Sequence, residues 1–161
     1  MSNELRSQLV LLLRGRQAHM TFDEATADFP EWAINERAPN VDYTPWHLVE
    51  HLRLTQWDML QYIEDPTGYQ SPPWPLGYWP DPQATTDRTG FQSSVDQFMT
   101  DLHAMEQIAL DESCDLMAVL EGTNGHTPLR CLFIIGNHNS YHVGEFASMR
   151  QVMNSWPASH R

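Results

Sequence analysis

Between residues 65 and 90 the chain reads DPTGYQSPPWPLGYWPDPQATTDRTG, a stretch that carries six of its eleven prolines. Proline lacks an amide hydrogen and fixes its own φ, so neither a regular helix nor an inner strand can run through this segment. Strong helical patterns lie on both sides of it. Two antiparallel helices need only a short turn between them, whereas a connection of about 25 residues is long enough to travel back along a helix before the next one begins. The segment therefore predicts two long helices running side by side in the same direction. Its Trp74, Tyr78 and Trp79 are expected to pin it to the body of the protein.

The rest of the chain is legible as helices in the same way. Leu5, Leu9, Leu12 and Leu13 recur at helical spacing and predict an amphipathic helix over 3–19. Thr21-Phe-Asp-Glu24 has the form of a capping box and opens a short helix that must stop by Pro30. Thr44-Pro45 places an N-cap before a proline at the first helical position, and two apolar stripes then run through 45–64. A third pattern covers 88–112 through Phe91, Val95, Phe98, Leu102, Met105 and Ile108, and Gly122 and Gly125 break the chain after it. Thr127-Pro128 repeats the N-cap signature and opens a last helix ending near 154. Four substantial helices and no strand predict an all-α fold, a four-helix bundle with its long loop between helices 2 and 3.

A chain of 161 residues fits one domain over 1–161 and can bury roughly two-thirds of its unfolded surface. With 9 basic against 21 acidic residues the net charge is −12, which repels phosphate backbones and anionic lipid, so neither nucleic acid nor membrane is an expected partner. The apolar run Leu9 to Leu13 is flanked by charge and too short for a signal core or a membrane span, which predicts a cytoplasmic protein. Cys114 and Cys131 are not at metal-type spacing and are expected to be reduced core thiols.

The chemistry is concentrated in histidine. His138 and His142 stand at i and i+4 on one helix face, close enough for both rings to reach one cation at about 2.0–2.1 Å. Such a pair alone is also what two core or surface histidines look like. His47 and His51 repeat the spacing on a second amphipathic helix, and facing helices are how bundles build metal sites. Neutral imidazoles suit zinc, nickel, iron or copper better than magnesium or calcium. Residues 47–51, HLVEH, also match the H-x-x-E-H pattern of a zinc peptidase, with His47 and His51 as ligands and Glu50 as general base. That reading leaves His138 and His142 without a role and lacks the strands of a peptidase sheet. His19, His103, His126 and His160 have no partner at ligand spacing and are read as surface residues, and Asp111, Glu112 and Asp115 as a solvated cluster.

HLVEHLRLTQWDMLQYI, NHNSYHVGEFASMRQV and the loop words PPWPLGYWP together resemble the DinB-like superfamily, also called YfiT-like metal-dependent hydrolases. The resemblance covers essentially the whole chain. It implies an up-down-down-up bundle and a divalent metal, zinc or nickel, held by His51, His138 and His142. His47 falls outside that triad, as a support behind the ligands, a substrate contact or a helix-start histidine facing solvent. Gly144 matches the family's H-x-G ending, where a missing side chain would admit another helix or the substrate. Glu145 departs from the glutamine common there, so no role is carried onto it. The resemblance further implies a small-molecule substrate and a possible homodimer. The reaction it implies is either S-transfer from a low-molecular-weight thiol of the bacillithiol or mycothiol kind, or hydrolysis. A non-catalytic metal-binding or stress-response module is the alternative, and Trp46, Trp79 and Tyr141 are candidate pocket walls.

Overall fold

The computed structural model describes residues 2–160, with the backbone alone at His160, whose predicted surface position therefore lies outside the described side chains. Every regular element among them is helical. The α-helices are α1 (Asn3–Arg14), α2 (Phe22–Thr26), α3 (Pro45–Glu64), α4 (Arg88–Leu110) and α5 (Pro128–Val152), and three short 3-10 turns lie outside them. None of the described helices is long and apolar enough to cross a membrane.

The caps explain the boundaries. Helix α3 starts where predicted, with Pro45 at its first turn and the Thr44 side chain accepting from the His47 amide. Helix α1 stops five residues short of the predicted 19. Gly15 takes a left-handed φ of 80° and its amide returns to the Leu11 carbonyl, a C-cap that ends the helix whatever the periodicity beyond it. The capping box of α2 forms between Thr21 and Glu24 as its spelling implies.

The four long helices surround one apolar core, with α1 against α4 and α5, and α3 against the same two. Leu48, Val49 and Leu52 of α3, Phe91, Phe98 and Met105 of α4, and Leu132, Ile135 and Phe146 of α5 are buried in it. Burying each of these is worth roughly 1.5–3 kcal/mol relative to exposure. Phe22 of α2 lies on Phe98, with ring centroids 3.8 Å apart, so the short helix acts as a plug on the core. Helix α1 packs closely on α5 at Gly136, where an added Cβ would stand 3.2 Å from Leu12 Cγ.

Two buried arginines close helix C-termini instead of pairing with acids. Arg6 donates to the carbonyl of Ala109 at the end of α4 and to that of Cys114 in the turn beyond it. Arg150 is fully buried and donates to Ala25, Ala27 and Ser155 carbonyls, its guanidinium 3.9 Å from the Trp156 ring. Carbonyls in a last helical turn have no partner within the helix, so these guanidinium groups satisfy acceptors that burial would otherwise orphan.

The proline-dense loop is attached more selectively than predicted. Tyr78 is buried and donates its hydroxyl to the buried carboxylate of Asp58, and Trp79 packs inward, but Trp74 is 76% exposed, its ring against that of Tyr78 in the same loop. Cys114 and Cys131 are free thiols, as read.

Candidate metal centre

His51 lies in the second turn of α3, on the face turned toward α5. Its Nδ1 donates to the Tyr78 carbonyl, 2.9 Å away, and this fixes the neutral tautomer with a bare Nε2. That Nε2 stands 3.2 Å from Nε2 of His138. Two ligands of a tetrahedral ion at bond lengths of about 2.0–2.1 Å stand about 3.3–3.4 Å apart, so this pair already has the separation of two ligands on one metal. His142 completes the group, and one ring nitrogen from each of the three lies within 4.8 Å of the others. Ring centroids are 4.5–5.0 Å apart, edge to face, which aims nitrogens at a common point instead of stacking the rings.

Burial makes the cluster receptive to a cation. It holds His51 below the usual histidine range, pushes His138 down to about 4 with help from His51, and pushes His142 down to about 3 with help from both neighbours. The three rings are therefore neutral near pH 7, with lone pairs that no proton contests. The outer contacts have the pattern that metal-binding imidazoles use. His142 Nδ1 donates to Glu145 Oε2 at 2.6 Å, and the Tyr43 hydroxyl donates to the other oxygen of the same carboxylate. Glu145 itself is held above the usual carboxylate range by burial. Trp79 lies flat against His51, centroids 4.0 Å apart at 7°, and walls that side of the cluster. The donor set thus fits a divalent metal ion.

His47 is not part of the cluster, nor does it face solvent, being only 2% exposed. Its Nδ1 accepts the Thr44 amide in a capping box, which places the proton on Nε2, and Nε2 donates to the Ala84 carbonyl at 2.9 Å. Both nitrogens are spent on binding the helix start to the long loop. The H-x-x-E-H constellation is accordingly not assembled, because Glu50 is also occupied, bonded to Arg53 and Ser94.

The remaining candidate positions divide between surface and structure. Tyr141 is 70% exposed beside His142, and Trp46 donates to Ser94, away from the cluster. Gly144 faces open space, with no other helix within 4 Å of a Cβ placed there. His103 is exposed, but His19 and His126 are half-buried and bonded to Ser140 and Tyr62, because the chain around each folds back onto a long helix. Sequence reading passed over Glu145, Tyr43 and the Tyr78 carbonyl. The i, i+3 spacing of His142 and Glu145 was a usable signal for the first; nothing in the spacing announces the other two. A cleft of about 520 Å³ between α1, α2, α4 and α5 is floored by Phe22, Phe98, Leu102 and Val143 and does not include the three histidines. A shallower groove along Leu12, Phe133, Ile134 and Tyr141 does border His138.

Helices with a convergent three-histidine cluster define the class, an all-α protein with a site that can hold a metal ion. Comparison with protein families, with curated proteins and with solved structures finds no match for this chain.

Proposed function

We propose that the chain is a DinB-like metalloprotein, an up-down-down-up four-helix bundle whose His51, His138 and His142 hold one zinc or nickel ion at a site open to a small-molecule substrate. The convergence of three neutral imidazoles from two separate helices carries this reading. Cross-links between elements support the topology. Arg6 and Arg14, at opposite ends of α1, meet the chain around Cys114 and Glu106 in antiparallel order. Trp46 and Gln56 of α3 meet Ser94 and Phe98 of α4 in parallel order. Tyr62, late in α3, meets His126, just ahead of α5.

A divalent ion bound there supplies a Lewis acid that favours the deprotonated form of a thiol or water beside it. The chain's own groups do the rest. The Tyr78 carbonyl and the Glu145 carboxylate hold His51 and His142 with their Nε2 atoms turned inward, so no reorganisation of these rings is needed. Trp79 keeps water from one side of His51. The apolar groove beside His138 gives an electrophile or the body of a thiol a place to lie, in S-transfer or in hydrolysis. Pairing of two copies through a bundle face belongs to the same proposal, supported by the exposed Phe133 and Tyr141.

Elemental analysis of protein purified without a histidine tag tests the metal. Stoichiometric zinc or nickel is the expected result, and a chain without metal that also fails to take up added zinc sinks the proposal. A conjugation screen of low-molecular-weight thiols against electrophiles then separates S-transfer from a non-catalytic module.

A further inference from the structure

Among the buried polar atoms that make no hydrogen bond, two belong to consecutive residues of α5, His138 Nδ1 and Asn139 Oδ1. Both are sealed from bulk solvent. Leaving a buried donor or acceptor unpaired costs about 1–3 kcal/mol, and two such atoms on neighbouring side chains call for one explanation.

The orientation of the Asn139 amide follows from its neighbours. The Phe98 carbonyl can only accept, so the Gln56 atom 2.7 Å from it is the NH2 group. Gln56 then turns its oxygen to Asn139, and the Asn139 atom 2.8 Å away must be its own NH2 group. What remains is an oxygen acceptor, held in place by a buried chain that runs from the α4 backbone through fully buried Gln56 to α5. The orientation of His138 follows from the site. Its Nε2 faces His51, and a neutral imidazole that gives Nε2 to a metal carries its proton on Nδ1. With a metal on Nε2, Nδ1–H would be a sealed donor next to the sealed Asn139 acceptor. The Asn139 side chain already acts on this ring, opposing the fall in its pKa that burial and His51 produce.

We infer that Asn139, braced by Gln56, is the positioning residue for His138, accepting Nδ1–H so that Nε2 points into the metal site. This rests on the three-histidine reading and deepens it. Each ligand then has its own outer acceptor: a backbone carbonyl for His51, a side-chain amide for His138, a carboxylate for His142. That bond would satisfy both orphaned atoms at once.

The test is zinc affinity by competition with a chromophoric chelator, on the wild type and on Asn139→Leu and Asn139→Asp, with the melting temperature of each metal-free variant as the folding control. Removing an outer-shell partner typically lowers metal affinity 10–100-fold, so Asn139→Leu is expected to fall in that range while Asn139→Asp, which keeps an acceptor, holds the wild-type affinity or exceeds it. Equal zinc affinity in the wild type and Asn139→Leu overturns the inference and leaves the metal site standing. A wild type that binds no zinc overturns the metal site itself, and this inference with it. Should Asn139→Leu not fold, nitrogen-15 NMR of histidine-labelled, zinc-loaded wild type decides. A slowly exchanging proton on Nδ1 of His138 is expected, and a proton on Nε2 overturns the assignment.

Discussion

Two pairs of histidines share the same four-residue spacing, and they meet opposite fates. His138 and His142 lie in the middle of α5, where every backbone amide and carbonyl is already used by the helix, so their rings are free to turn toward α3. His47 and His51 lie at the start of α3, where the first amides have no helical partner. His47 occupies the third helical position, and its ring takes the part that Glu or Gln plays in an ordinary capping box. Only His51, one turn further in, is left over for chemistry. Spacing decides which side chains share a face. Position relative to the helix end decides which of them are already engaged.

Substituting the histidines one at a time gives the largest effect. His51→Ala and His142→Ala are expected to abolish stoichiometric zinc, while His47→Ala keeps it, read by elemental analysis of tag-free protein. Metal retained in His142→Ala but lost in His47→Ala would reverse the comparison and restore the peptidase reading. Next in size is stabilisation by the metal. Free zinc at 100 times its dissociation constant adds about 2.7 kcal/mol, and His142→Ala is expected to lose that gain in denaturant titrations while His47→Ala preserves it.

Acid sharpens the contrast further. His138 and His142 are held down to about 4 and about 3, against an ordinary histidine value of 6.5, so below 6.5 the unfolded chain binds protons that the folded chain refuses. Stability of the metal-free protein therefore falls as the pH drops from about 6.5 toward about 3, the His138 contribution levelling off near 4 and that of His142 near 3 as the folded rings protonate. His138→Gln and His142→Gln are expected to flatten this limb of a urea-midpoint profile. An unchanged limb would mean that the two rings are not held neutral by burial. The smallest effect belongs to the cap. His47→Ala is expected to cost about 1 kcal/mol in urea unfolding, and His47→Gln, which restores a capping-box side chain, less than that.

The helices were legible wherever local chemistry closes them. Thr44-Pro45 and Thr127-Pro128 marked two starts, and the Thr21–Glu24 box marked a third. The end of α1 was misplaced because the predicted span ran on past Gly15, whose left-handed backbone ends the helix irrespective of the residues beyond it. In the site, the ligand pair on α5 and its partner on α3 could be named from spacing and resemblance. The Tyr78 carbonyl, Tyr43 and the Gln56–Asn139 brace could not, since each reaches its target across 27 to 102 residues of chain. Trp74, read as an anchor, proved exposed, because aromatic content says that a loop can pack and not which ring faces in.

What the sequence determined by itself is therefore local: which segments are helical, which face of each is apolar, and which histidines share a face, all set by interactions within a few residues. Only the tertiary structure decided that both nitrogens of His47 are engaged at the helix start, that burial keeps the three rings neutral, and which acceptors orient His51 and His142. Those outcomes depend on desolvation and on hydrogen bonds between elements far apart in the chain, and both exist only once the helices have packed.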